Sequence, residues 1–176
     1  MNQTGSWNDI NTSQSSDPIT QKVFSAWISH GNSPVDGKYE YIVVPSKDVS
    51  QFEKWTENNP LKMIVNSKDI QAVCDKKAGI FAIVFYGQGT ITLEHGFSVS
   101  VDKTCLLLIQ SESKGEKYKI SVSDPTYSLQ NVTIGITKKL IGQGAINNSD
   151  NSSTLNISFP SGDETGRTVT NEYSVQ

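Results

Sequence analysis

Apolar and polar residues alternate with a period of two through the second half of the chain. Phe97, Val99 and Val101 alternate with Ser98, Ser100 and Asp102, and Tyr118, Ile120 and Val122 with Lys119, Ser121 and Ser123. Val132, Ile134 and Ile136 follow the same rule, as do Leu155, Ile157 and Phe159. Successive side chains of a strand point to opposite faces, so each segment predicts a strand with one buried and one wet face. Two runs, Ile80–Tyr86 and Cys105–Ile109, are apolar throughout and predict strands near the centre of a sandwich. Turn signals separate the strands at short intervals: Lys77-Ala-Gly, Gly87-Gln-Gly, Glu94-His-Gly, Ser113-Lys-Gly, Asp124-Pro and Gly142-Gln-Gly. The fold class is all-β, an antiparallel β-sandwich.

The first third reads differently. Residues 1–20 are rich in Asn, Ser, Thr and Gln and suggest an irregular approach segment. Lys22–Ser29 and Tyr39–Val44 read as two strands joined by a polar loop carrying Gly31, Pro34 and Gly37. One short helix is predicted over about 48–58, where Asp48 and Gln51 have capping-box spacing and Phe52 and Trp55 share a face suited to docking on a sheet. Asn58-Asn-Pro60 ends it, because the residue before proline resists the α conformation. A domain boundary is expected near 58–66, giving regions 1–62 and 63–176. The tail from about 161 is polar, with Thr168–Val175 as an edge strand.

Composition narrows the function classes. With 176 residues, 35% hydrophobic and 19% charged, the chain is too apolar for a disordered segment. Its longest apolar run, Ile80–Tyr86, has 7 residues, against roughly 20 for a membrane-spanning helix. The net charge of −3 lacks the basic stripe of a nucleic-acid-binding domain. Arg167 is the only arginine, which argues against a tight polyanion site. The lysine groups Lys76/Lys77, Lys114/Lys117/Lys119 and Lys138/Lys139 fit solvated strand ends and turns. The opening Met-Asn-Gln-Thr-Gly has no basic region leading into an apolar core, so no secretory leader is expected in it.

Candidates for chemistry are few. His30 and His95 each precede a glycine at a strand end and read as turn residues. Two histidines and two strand cysteines lack zinc-ligand spacing, and no nucleophile turn of the G-x-S-x-G kind occurs. No metal or cofactor is therefore expected, while composition leaves a Ser-His-Asp or Cys-His arrangement open. Gly87-Gln-Gly89 and Gly142-Gln-Gly144 resemble phosphate loops only superficially and are turns. Cys74 and Cys105 sit in apolar stretches as small hydrophobes, with a bridge between them left open. Exposed aromatics are the alternative: Trp7, Trp27, Tyr39, Tyr41, Tyr86, Tyr127 and others can stack on sugars or pack against a neighbouring domain. Tyr39 and Tyr41 share one face.

The first 45 residues sharpen the reading. Gly5-Ser-Trp-Asn-Asp-Ile-Asn11, then Val23-Phe-Ser-Ala-Trp-Ile-Ser-His-Gly31, Pro34 and Tyr39-Glu-Tyr-Ile-Val-Val-Pro45 resemble a signature of the family 8 polysaccharide lyases. The signature marks the end of that family's central β-super-sandwich, and the segment from Ile70-Gln-Ala-Val onward is similar to its small C-terminal β-sandwich. The likeness runs from residue 5 to about 136. Within it, Trp7 is expected to plug an apolar slot, His30 to bond across its loop, and Pro45 to stop a strand before the helix.

The resemblance implies a bacterial enzyme, extracellular or periplasmic, that cleaves acidic polysaccharides by β-elimination at a uronic acid. In that family the catalytic Asn, His, Tyr and Arg lie on an N-terminal helical toroid, which this sequence lacks. It thus implies a chain inactive alone, with a structural or accessory role, whose partners are the helical and central β domains of the same enzyme. Trp7, Trp27, His30, Tyr39 and Tyr41 are its candidate carbohydrate or domain-interface contacts. The alternatives are a carbohydrate-binding module and a generic adhesion-type sandwich.

Overall fold

The computed structural model describes residues 1–45, 48–93, 97–112 and 115–176. The chain divides into two compact units, Met1–Val43 and Val44–Gln176.

The first unit is built on a hairpin. Strands β1 (Asn2–Gly5) and β2 (Ile19–Lys22) pair antiparallel, with Thr4 and Thr20 hydroxyls 2.8 Å apart. Between them, Ser6 opens a single 3-10 turn over Trp7–Asp9 and its N–H donates to Asp9 Oδ2 at 2.7 Å. The expected irregular segment therefore contains the unit's only ladder among the described residues. The two strands expected at Lys22–Ser29 and Tyr39–Val44 do not form; beyond Lys22, residues 23–43 carry no ladder. The reason is physical. Alternation prepares a segment for a sheet, but a strand exists only where a neighbour accepts its N–H groups and donates to its carbonyls. Pro45 accordingly follows a segment without strand pairing.

Helix α1 (Val49–Glu57) opens the second unit. Asp48 caps it by accepting the Ser50 N–H at 2.8 Å, and Asn58 closes it ahead of Pro60. No helix residue is buried, and Phe52 is 44% exposed, so the expected docking on a sheet is absent among the described residues.

Twelve strands then make two antiparallel sheets. Their ranges are β3 (Leu61–Asn66), β4 (Ile70–Asp75), β5 (Ile80–Phe85), β6 (Gly89–Thr92), β7 (Ser98–Val101), β8 (Cys105–Glu112), β9 (Lys117–Ser123), β10 (Asn131–Ile136), β11 (Leu140–Gly142), β12 (Ala145–Asn147), β13 (Ser153–Ser158) and β14 (Val169–Val175). One sheet runs β12-β13-β10-β7-β6, the other β11-β14-β9-β8-β5-β4-β3. The two all-apolar runs became β5 and β8, adjacent in the middle of the larger sheet. The alternating segments bury their apolar sets, Phe159 only in part: Val99, Val122, Val132, Ile134 and Leu155 are each 0% exposed. These side chains join Ile83, Phe85, Leu107 and Ile109 in one core between the sheets.

The C-terminal segment departs from expectation. β14 is not an edge strand; it lies between β9 and β11. Tyr173 explains this, since it is 2% exposed and its hydroxyl donates to the Gln143 carbonyl at 3.1 Å. Cys74 and Cys105 are both buried and are not bridged, because β5 runs between their strands. Among the described residues no helix is long and apolar enough to cross a membrane.

Candidate functional site

Four of the five predicted contact residues converge in the first unit. Ala26, Trp27, Ile28, His30, Tyr39 and Tyr41 line an open depression of about 540 Å³. Tyr39 and Tyr41 lie two residues apart with their rings stacked, 6.4 Å between centroids and 16° between planes. His30 joins at 6.3 Å from Tyr39, with its imidazole against Gly37 across the loop. Gly31, at φ +73°, makes the turn that brings the two arms together. Trp27 is 81% exposed and Tyr41 73%, so the depression is an aromatic shelf open to solvent.

Trp7 stands apart. It heads the 3-10 turn in the β1–β2 connection, is 58% exposed and does not line the shelf. The expected apolar slot is not formed around it among the described residues. His95 and Lys114 lie outside the described residues.

The shelf combines aromatic rings and small apolar side chains with one imidazole. Aromatic faces with phenol, indole and imidazole edges suit either a sugar ring or a protein surface with an apolar centre and polar rim. Among the described residues no group of three or more His, Cys, Asp or Glu is placed to hold a metal.

Two lysines of the second unit stand opposite glutamates. Lys119 pairs in register with Glu172, and Lys117 with Glu112. Lys76 and Lys77 occupy the β4–β5 turn, where the Asp75 carboxylate accepts the Lys77 and Ala78 N–H groups at 2.9 Å. Lys138 sits 5.5 Å from the Tyr118 ring centroid and 5.9 Å from that of Phe97, a packing role for a cation.

Two features escaped sequence reasoning. The outer face of the larger sheet is apolar on one half: Met63, Val73, Ala82 and Leu108 form one cross-strand row, beside Val84 and Leu106. Leu106 and Leu108 are each 40% exposed. The all-apolar runs carried that signal, since only a strand with two apolar faces reads so. The second is the Asp124 carboxylate, 5% exposed, which organises the β9–β10 loop. Asp124-Pro marked the turn, but not the burial.

An antiparallel sandwich of five and seven strands, preceded in sequence by an aromatic-rich segment, defines the class as an all-β sandwich, and comparison with known proteins makes it specific. Residues 62–133 match the model of the polysaccharide lyase family 8 C-terminal beta-sandwich domain, and residues 1–56 match that of the family's super-sandwich domain. The chain belongs to polysaccharide lyase family 8. It is 28% identical to a chondroitinase-AC of Pedobacter heparinus over 96% of its length, and 29% identical to a xanthan lyase of a Bacillus species over 76%. It spans 23% and 14% of those two proteins. A chondroitinase AC lyase solved with oligosaccharides superposes with a TM-score of 0.76 at 27% identity, again over 96% of this chain and 23% of that one. A Paenibacillus xanthan lyase shares the fold, with a TM-score of 0.78 at 21% identity. The expected lineage is therefore confirmed, and a coincidental likeness on an adhesion-type sandwich is set aside.

Proposed function

We propose that the chain is a non-catalytic region of a bacterial lyase that cleaves an acidic polysaccharide by β-elimination at uronic acids. It joins the last part of the parent's super-sandwich domain to the C-terminal β-sandwich and serves as scaffold beside the substrate cleft. The observation that carries this reading is the order of the two family matches, super-sandwich then C-terminal sandwich, in a chain spanning 23% of its chondroitinase relative. The sandwich supports it by burying one continuous apolar core between its two sheets. The partners are the helical and central β domains of the same enzyme, outside the cell or in the periplasm. Trp27, His30, Tyr39 and Tyr41 are the contacts offered to them, with Trp7 beside the hairpin.

The test is direct. Purified chain is mixed with chondroitin, hyaluronan and xanthan, and the ultraviolet absorbance of unsaturated uronate ends is followed. No product is expected, and clear turnover would overturn the reading.

A second reading, a carbohydrate-binding module, is favoured by the exposed shelf alone. Affinity electrophoresis in chondroitin sulfate gels decides it: retardation at low salt that Tyr39→Ala abolishes supports binding, and unchanged mobility removes it.

A further inference from the structure

The loop joining β9 to β10 is built rather than slack. Asp124 Oδ1 accepts the Thr126 N–H at 2.7 Å and the Thr126 hydroxyl at 2.6 Å. Its Oδ2 accepts the N–H groups of Ser128 at 2.8 Å and Leu129 at 2.7 Å. Four bonds to one buried carboxylate fix residues 124–129 as a unit. Thr126 and Ser128 hydroxyls lie 2.7 Å apart at its surface.

At the tip stands Tyr127 with φ +57°, the left-handed region that bulky L-residues rarely occupy. An ordinary turn places Gly or Asn there. Opposite it, Gly166 at φ +86° lies so close that a Cβ would overlap the ring edge. Tyr127 is nevertheless 68% exposed. A tyrosine recruited for packing would be covered, and a residue recruited only for the turn would be small. What the loop produces is a fixed aromatic residue presented to solvent, flanked in sequence by two hydroxyl side chains. Strained conformations held by a rigid frame belong characteristically to contact sites, and a pre-fixed aromatic loses little entropy on binding.

The surroundings select the ligand's charge. The neighbouring turn carries Asp163 and Glu164 against Arg167, whose guanidinium is engaged by Glu164 at 2.8 Å. Two carboxylates against one engaged cation disfavour a uronate at this spot. They leave hydroxyl chemistry and the apolar C–H face of a sugar.

We propose that Tyr127, held out by the Asp124 loop and backed by Gly166, is a stacking platform for a neutral pyranose ring of a glycan. The choice of a glycan over a protein partner rests on the lyase reading above; the platform itself rests on the loop.

The experiment is an NMR titration of the full chain, with labelled tyrosine rings and backbone amides, against cellohexaose and against an oligogalacturonate. Cellohexaose is expected to shift the Tyr127 ring and the Thr126 and Ser128 amides saturably. Tyr127→Phe should bind like the parent, and Tyr127→Gly should weaken binding about tenfold. Glycine adopts this φ freely, so Tyr127→Gly keeps the loop and its fold, read by unchanged spectra elsewhere. An unshifted ring at saturating sugar, equal binding by Tyr127→Gly, or tighter binding of the oligogalacturonate would each overturn the proposal. These readouts concern the isolated chain, so they stand or fall independently of the turnover assay.

Discussion

Tyr39 and Tyr41 in the first unit, and Val99 and Val101 in the second, carry the same period-two pattern of large apolar residues, yet meet opposite fates. The tyrosines are 61% and 73% exposed on a segment without a ladder, whereas the valines are 0% and 6% exposed on β7. The difference is not local propensity, since both segments suit a strand. β7 has β6 on one side and β10 on the other, so its backbone groups are paired and its alternate residues meet the opposing sheet. Residues 39–43 have no such neighbour among the described residues. Period two states which residues would share a face; only pairing decides whether that face becomes core.

Mutations should break along this line. The largest effect is expected for Phe85→Ala, which empties a 0%-exposed site in the core and should cost about 3–5 kcal/mol in urea unfolding. The next concerns Asp124. Burial alone would raise its carboxyl, but the Thr126 hydroxyl and the N–H groups of Leu129, Thr126 and Ser128 outweigh it and hold the group below its ordinary 3.8. Asp124→Asn turns an amide toward donors that need an acceptor and should cost about 2 kcal/mol near neutral pH. A depressed carboxyl contributes its full stabilisation above the unfolded value and loses it as pH falls through the folded one. The stability gap between parent and Asp124→Asn should therefore be constant above pH 5 or so and shrink below about 4. A gap that widened on acidification would contradict the assignment.

Cys105 gives a smaller but sharp readout. Burial pushes its thiol up to about 12, with the nearby Asp102 and Asp124 charges adding to the rise. Iodoacetamide at mildly alkaline pH should leave Cys105 unmodified in the folded chain and alkylate it only in denaturant, checked by mass spectrometry. The smallest effect is expected on the shelf: Trp27→Ala should change stability by less than about 0.5 kcal/mol, since its ring buries little. A loss near that of Phe85→Ala would erase the contrast between the units.

Much of the sandwich was legible because its signals are redundant. Alternation, turn glycines and the two all-apolar runs point to the same strands, and β5, β7, β8, β9, β10 and β13 formed where they were expected. β3, β6, β11 and β12 were not anticipated, being short or flanked by polar residues whose pairing is set by the sheet beside them. The polar β14 became an inner strand through Tyr173, a long-range contact that no local window contains. Of the candidate site, the aromatic residue types and the shared face of Tyr39 and Tyr41 were readable. The separation of Trp7 from the shelf was not, because it depends on the unanticipated β1–β2 hairpin. The Tyr127 platform was hidden for a similar reason: neither its positive φ nor its contact with Gly166 leaves a mark in sequence.

Native-state hydrogen exchange on the intact chain tests the central contrast most directly. Amides of β5, β8, β9 and β10 should open only with global unfolding of the sandwich, while those of residues 24–43 exchange with almost no protection. Strong, cooperative protection across Trp27 and Tyr39–Tyr41 in the chain by itself would contradict the account, because it would mean these residues already have the partners that we assign to the rest of the lyase.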